Sequence, residues 1–211
     1  MDIPSKPVVL PHSTGRLVVA ITGASGAPYA IRFLEEASRY YREIYVMLSD
    51  QALQVISLET DRAVNVRSLS AETLLGHPCP ALRFLDKKDY FSPPASGSFR
   101  HDGMVIVPCS MGTAGRIANG ISDDLVTRAA DVCLKERRKL ILVPRETPWN
   151  LIHLRNMTQL AEAGATILPA APGFYHKPQT ISDLVDHVVG RILQQLGIEQ
   201  TLVPQWQFTE E

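Results

Sequence analysis

Short apolar runs alternate with amphipathic stretches along most of this chain. Residues Leu17 to Ile21, LVVAI, are continuously apolar and rich in β-branched side chains, the pattern of a strand covered on both faces. A strand is therefore expected over residues 16–22. Residues 27–39 place Ile31, Leu34 and Ala37 on one side, which is helical spacing. A second strand is expected at 43–48. Ser49 and Asp50 are good N-caps for a helix reaching about Ser57, closed by Glu59-Thr60-Asp61. Residues 65–89 are less regular, with room for a short helix at 71–76 and a strand at 83–85. The run Phe91-Ser92-Pro93-Pro94-Ala95-Ser96-Gly97-Ser98 suits neither helix nor strand and reads as an exposed loop. Strands follow at 104–107, 140–143 and 165–168, and helices at 111–119, 124–136, 150–163 and 182–196. Such alternation predicts an α/β fold: a three-layer, doubly wound parallel sheet with helices on both faces. Ligands of such sheets bind outside the carboxyl ends of the strands.

Length and composition narrow this picture only slightly. The 211 residues suffice for one sizeable domain. We expect a loose N-terminal arm over residues 1–15, a single domain over 16–206 and a tail over 207–211. Hydrophobic residues at 45% and charged residues at 20% are ordinary for a globular chain. A formal net charge of -1 gives no general attraction to nucleic acid or membrane. An anionic ligand then needs a local cluster of cations. No apolar run has the length of a membrane span, and no metal-ligand cluster is visible. Cys79, Cys109 and Cys133 are widely spaced with no C-x-x-C pair. They read as small buried hydrophobes in a reducing, cytoplasmic setting.

Four expected strand ends carry unusual chemistry: Gly23-Ala24-Ser25-Gly26, Ser49, Pro108 to Thr113, and Pro144-Arg145-Glu146. The first has G-x-x-G spacing, with Pro28 in the first helical turn. It reads as a phosphate cradle or as an ordinary tight turn, and it lacks the G-x-G-x-x-G of dinucleotide folds. Ser110-Met111-Gly112-Thr113 repeats the logic, although Ser110 alone is simply a helix cap. One helix N-terminus contributes ~0.3–1 kcal/mol to anion binding, whereas micromolar affinity needs about 8 kcal/mol. Either a flat apolar group is buried as well, or cations converge. Candidate cations are Arg128, Lys135, Arg145, Lys177 and Arg191. Arg128 and Lys135 share one helix face. Arg145 is set apart by its neighbours: an acid, Glu146, and prolines on either side. Glu146 could move a proton or merely pair with the arginine. Tyr175 is a phosphate ligand or a packing residue, His176 a solvated loop histidine, and Trp206 a tail anchor or a cover for a planar ligand.

The ordered set Thr22-Gly23-Ala24-Ser25-Gly26-Ala27, Pro93 to Ser98, Pro108 to Thr113, Pro144-Arg145-Glu146-Thr147-Pro148 and Pro169 to Tyr175 resembles the UbiX flavin prenyltransferases. The likeness runs from about Arg16 to Trp206. It departs at Asp50, where a lysine is expected, and at Met111, a variable place. The resemblance implies a Rossmann-like, flavodoxin-like flavoprotein fold and a metal-independent reaction. Reduced FMN and dimethylallyl phosphate would give prenylated FMN, the cofactor of UbiD-type decarboxylases in quinone synthesis or aromatic-acid breakdown. Gly23, Ala24, Ser25, Ser49, Ser110, Met111, Gly112, Thr113 and Arg145 fall on FMN-contact positions. Tyr175 and Arg191 fall on the prenyl-phosphate site, supported by Arg128 and Lys135. Glu146 matches a proton-handling acid, and Ser25 with Glu59 a hydrogen-bonding pair near flavin N5. Trp206 could supply part of the wall around an allylic cation. The family assembles as homododecamers with sites between subunits, so Ala95 and Ser96 would reach a neighbour's site. A flavin-dependent cysteine decarboxylase shares the fold, but its substrate clamp is not visible here. A non-catalytic FMN carrier would leave Glu146, Lys135 and Tyr175 without a task.

Overall fold

The computed structural model describes residues 14–204. The rest of the expected N-terminal arm, Trp206 and the tail lie outside those residues. β1 (Arg16–Ile21) is buried on both faces, as its unbroken apolar run requires. It pairs in parallel with β2 (Glu43–Leu48) on one side and β4 (Met104–Cys109) on the other. β3 (Leu82–Leu85) extends the sheet beyond β2. β5 (Leu140–Pro144) and β6 (Thr166–Ile167) extend it beyond β4. The order is β3-β2-β1-β4-β5-β6, all parallel. That is the doubly wound, Rossmann-like arrangement, and the winding reverses between β1 and β4.

Two helical layers sandwich the sheet. α1 (Ala27–Ala37), α2 (Asp50–Glu59), α3 (Ala71–Leu75) and α7 (Ile181–Leu196) cover one face, packing on Leu17, Val19, Ile21, Ile44 and Val105. α4 (Met111–Ala118), α5 (Leu125–Lys135) and α6 (Leu151–Glu162) cover the other, packing on Val18, Ala20, Met47, Ile106 and Leu142. Alternate residues of β1 thus feed two separate cores. Phe33 and Leu34 of α1 are fully buried, each contributing roughly 1.5–3 kcal/mol by the usual transfer scale.

The structure corrects two expectations. β4 and β5 run through Pro108 and Pro144 instead of stopping before them. A register shift between Ile106 and Cys109 accommodates the proline, which has no N–H for the ladder. The segment 91–98 is not simply an exposed loop. Pro93–Ala95 forms one turn of 3₁₀ helix, with Ser92 and Pro94 buried. Arg128 Nε donates to Ala95 O at 3.2 Å, and Arg138 donates to Gly97 O and Phe99 O. The Phe99 ring meets Tyr45 of β2 edge-on, with centroids 5.0 Å apart. This stretch stands where a crossover helix between β3 and β4 would otherwise cover the sheet.

All three cysteines are free; Cys109 and Cys133 are buried, and Cys79 is half-buried. Burial pushes the Cys109 and Cys133 thiols up to about 12, so neither forms thiolate near neutrality. A thiol titration of the native protein near pH 8 should therefore count Cys79 alone and reach the other two only after unfolding.

Candidate active site

The carboxyl ends of five strands are bonded to one another. Thr22, just past β1 and 2% exposed, donates its hydroxyl to Pro108 O at 2.9 Å. Thr22 Oγ1 in turn accepts from Ser110 N at 2.7 Å. Thr22 N also donates to Pro108 O, Ser49 N to Ile21 O, Arg145 N to Cys109 O, and Ala170 N to Pro144 O. Arg145 Nε donates to Ser25 O at 3.0 Å, joining the end of β5 to the turn after β1. Ser25, Ser49, Ser110, Arg145 and Glu146 therefore share one rim of the sheet.

Three helices start at this rim. Ser49 caps α2, accepting from Ala52 N at 3.1 Å, and Ser110 caps α4, accepting from Thr113 N at 3.3 Å. Met111 and Thr113 turn their side chains into the protein, which leaves only their backbones toward a ligand. A Cβ on Gly112 would meet nothing within 4 Å, so open space adjoins the first turn of α4. The start of α1 differs. Gly26 has φ 129°, a conformation suited to glycine. Its N–H and that of Ala27 both donate to Glu59 Oε2, at 2.9 and 2.8 Å. The turn at Gly23–Gly26 is thus no empty phosphate cradle: the carboxylate of Glu59 already serves the α1 dipole. Glu59 is thus bonded to the two residues that follow Ser25. Glu146 is exposed on the rim, its Oε1 accepting from Thr147 N at 3.0 Å and its carbonyl from Trp149 Nε1 at 2.8 Å.

Other expected site residues lie elsewhere. Tyr175 and Arg191 line a cleft of about 530 Å³ along α7, with His176, His187, Gln194 and Gln200. His176 is thus a wall of that cleft as well as an exposed loop residue. Lys177 is exposed in the same loop. Arg128 and Lys135 lie on α5, and Arg128 ties that helix to the Ala95–Ser96 segment. Lys135 ends α5 and pairs with Glu136, and the chain then enters the amino end of β5. Lys135 therefore sits at the opposite edge of the sheet. Within one subunit, the rim, the α7 cleft and the α5 face are three separate groups.

Lys87 escapes any motif reading. It follows β3, and its Nζ pairs with Asp50 Oδ2 at 2.5 Å, beside the Ser49 cap. Where a lysine is expected at position 50, this chain brings a cation to the start of α2 from a different strand. Among the described residues, no group of three His, Cys, Asp or Glu could hold a metal ion, and no helix is long and apolar enough to cross a membrane.

Sheet order, rim chemistry and sequence similarity define a flavin-binding class: the Flavoprotein family model matches residues 10–193. The chain is 48% identical over 195 residues to the flavin prenyltransferase UbiX of Pseudomonas aeruginosa, covering 90% of this chain and 93% of that one. Among solved structures it resembles AnUbiX (PadA1) in complex with FMN and dimethylallyl pyrophosphate. That likeness has a TM-score of 0.82 and 42% identity, over 92% of this chain and 98% of that one. It resembles equally, with TM-score 0.82 and 41% identity over 92% of this chain and 100% of that one, the dodecameric FMN-dependent UbiX-like decarboxylase of Escherichia coli O157:H7. The chain belongs to the UbiX flavin prenyltransferase family. Likeness to the peptidyl-cysteine decarboxylase EpiD, at 20% identity and TM-score 0.52, is one of fold alone.

Thr22→Val keeps the shape of the side chain but leaves the buried Ser110 N–H without its acceptor. The variant should lose roughly 1–3 kcal/mol of stability, read from urea unfolding.

Proposed function

We propose that this chain transfers the dimethylallyl group of dimethylallyl phosphate to N5 and C6 of reduced FMN. Phosphate is released, and the prenylated FMN passes to a UbiD-type decarboxylase. The observation that carries this reading is the bonded rim, which holds Ser25, Ser49, Ser110, Arg145 and Glu146 together in a chain of the UbiX family. Reduced FMN supplies the two attacking positions. The allylic C–O bond breaks and its electron pair leaves with phosphate. The protons given up by N5 and C6 go to the phosphate and to C2 of the prenyl chain.

The residues divide this work by charge. A second anion at the start of α1 would meet Glu59, so Ser49 and the backbone N–H groups of 111–113 are left to hold FMN, with Arg145. Gly112 leaves the first turn of α4 clear of any side chain on that side. Ser25 and Glu59 serve the N5 side. Glu146 is the side chain that holds or moves the prenyl proton. Tyr175 and Arg191 take the prenyl phosphate. Arg128, Lys135, Ala95 and Ser96, which line neither the Ser110–Arg145 rim nor the α7 cleft, serve the site of another copy. A dodecamer like that of the E. coli relative would unite them. Free, mostly buried thiols support a cytoplasmic setting.

Anaerobic incubation with reduced FMN and dimethylallyl phosphate should yield a flavin one isoprene unit heavier by mass spectrometry; an unchanged flavin mass refutes the reading. Glu146→Gln should keep FMN affinity while slowing single-turnover prenylation at least about 100-fold. Full activity in that variant removes the proton role.

A further inference from the structure

His187 stands on α7 one turn before Arg191, so the two side chains share a helix face. Both line the cleft with Tyr175 and His176. The His187 ring is tied to the loop that carries Tyr175. Gly173 N donates to its Nδ1 at 2.8 Å, and Gly173 O lies 3.3 Å from the same atom. The shorter contact makes Nδ1 the acceptor and leaves the ring proton on Nε2. His176 meets the same ring edge-on, with centroids 5.7 Å apart. One imidazole thus touches the loop on both sides of Tyr175. Space is tight at Gly173: a Cβ there would come within 2.7 Å of His187 Cε1 and 3.3 Å of a Tyr175 ring carbon.

We propose that His187 is a positioning residue of the prenyl-phosphate site. It clamps the Gly173–His176 segment so that Tyr175 and Arg191 present themselves to the same anion. This rests on the reading of Tyr175 and Arg191 as donor ligands. Tyr175 is 76% exposed, and a free loop would have to be ordered at every binding event. The clamp lets folding meet that entropic cost beforehand.

Steady-state kinetics and amide exchange on the intact protein test it together. His187→Ala should raise the KM for dimethylallyl phosphate about tenfold, leaving kcat and FMN affinity within about twofold. His187→Asn, whose Oδ1 replaces Nδ1 as acceptor, should return KM to within about twofold of wild type. Gly173→Ala should raise KM in the native background and add much less in His187→Ala, where the nearest clash, with the imidazole, is gone and only the looser Tyr175 contact remains. Slow exchange at the Gly173 amide should persist in His187→Asn and vanish in His187→Ala. An unchanged KM in His187→Ala, full additivity with Gly173→Ala, or slow exchange kept in His187→Ala would each overturn the clamp. A wild-type protein that makes no prenylated flavin refutes the proposed function instead, and the exchange result then decides the clamp by itself.

Discussion

The Thr22 hydroxyl holds the working edge of this protein together. Pro108 has no N–H to offer the ladder, and the register of β4 slips at that point. The slip lies on the β5 side; across the winding reversal β1 and β4 stay joined past the proline, Thr22 N donating to Pro108 O. The Thr22 side chain reinforces this joint, giving a proton to Pro108 O and taking one from Ser110 N. Position and chemistry are thereby coupled. The serine that caps α4 is fixed relative to β1 by the group that reinforces the joint.

Electrostatics on this rim are arranged locally because the chain as a whole is almost neutral. α1 spends its dipole on Glu59, whereas α2 and α4 keep theirs behind small polar caps. Arg145 braces the turn after β1, and Lys87 is held at α2 through Asp50. Paired side chains lose less freedom on meeting a ligand than free ones do. The start of α1 is thus already served by a carboxylate, while that of α4 has no acid in its first turn.

Much of the fold was legible in the sequence because it rests on local signals. The apolar runs and the caps Ser49 and Ser110 set element ends to within a residue or two. Pro108 and Pro144 depart from expectation because proline argues against a central strand; Pro144 sits at the very end of β5, and Pro108 is held by a threonine far away in the chain. The Pro-Pro segment was correctly denied an α-helix, but its 3₁₀ turn and burial depend on α5. The site was legible as a set of residue types, not as an arrangement. Spacing put Arg128 and Lys135 on one helix face, yet it carries no information on which edge of the sheet the helix ends at. Glu59 on α1, Lys87 on Asp50 and His187 on Gly173 are contacts through space, and periodicity has no record of them.

The bridge from Thr22 to Pro108 also constrains how the molecule assembles. Its partners are 86 residues apart in the chain. β1, β2 and β3 can associate through nearer neighbours, while the β1–β4 seam must first close a long loop. During synthesis the first three strands emerge as a half-sheet whose inner edge waits for β4. The crevice is therefore completed only after β4 has been made, and a chain interrupted before β4 lacks the Ser110 and Arg145 side of it.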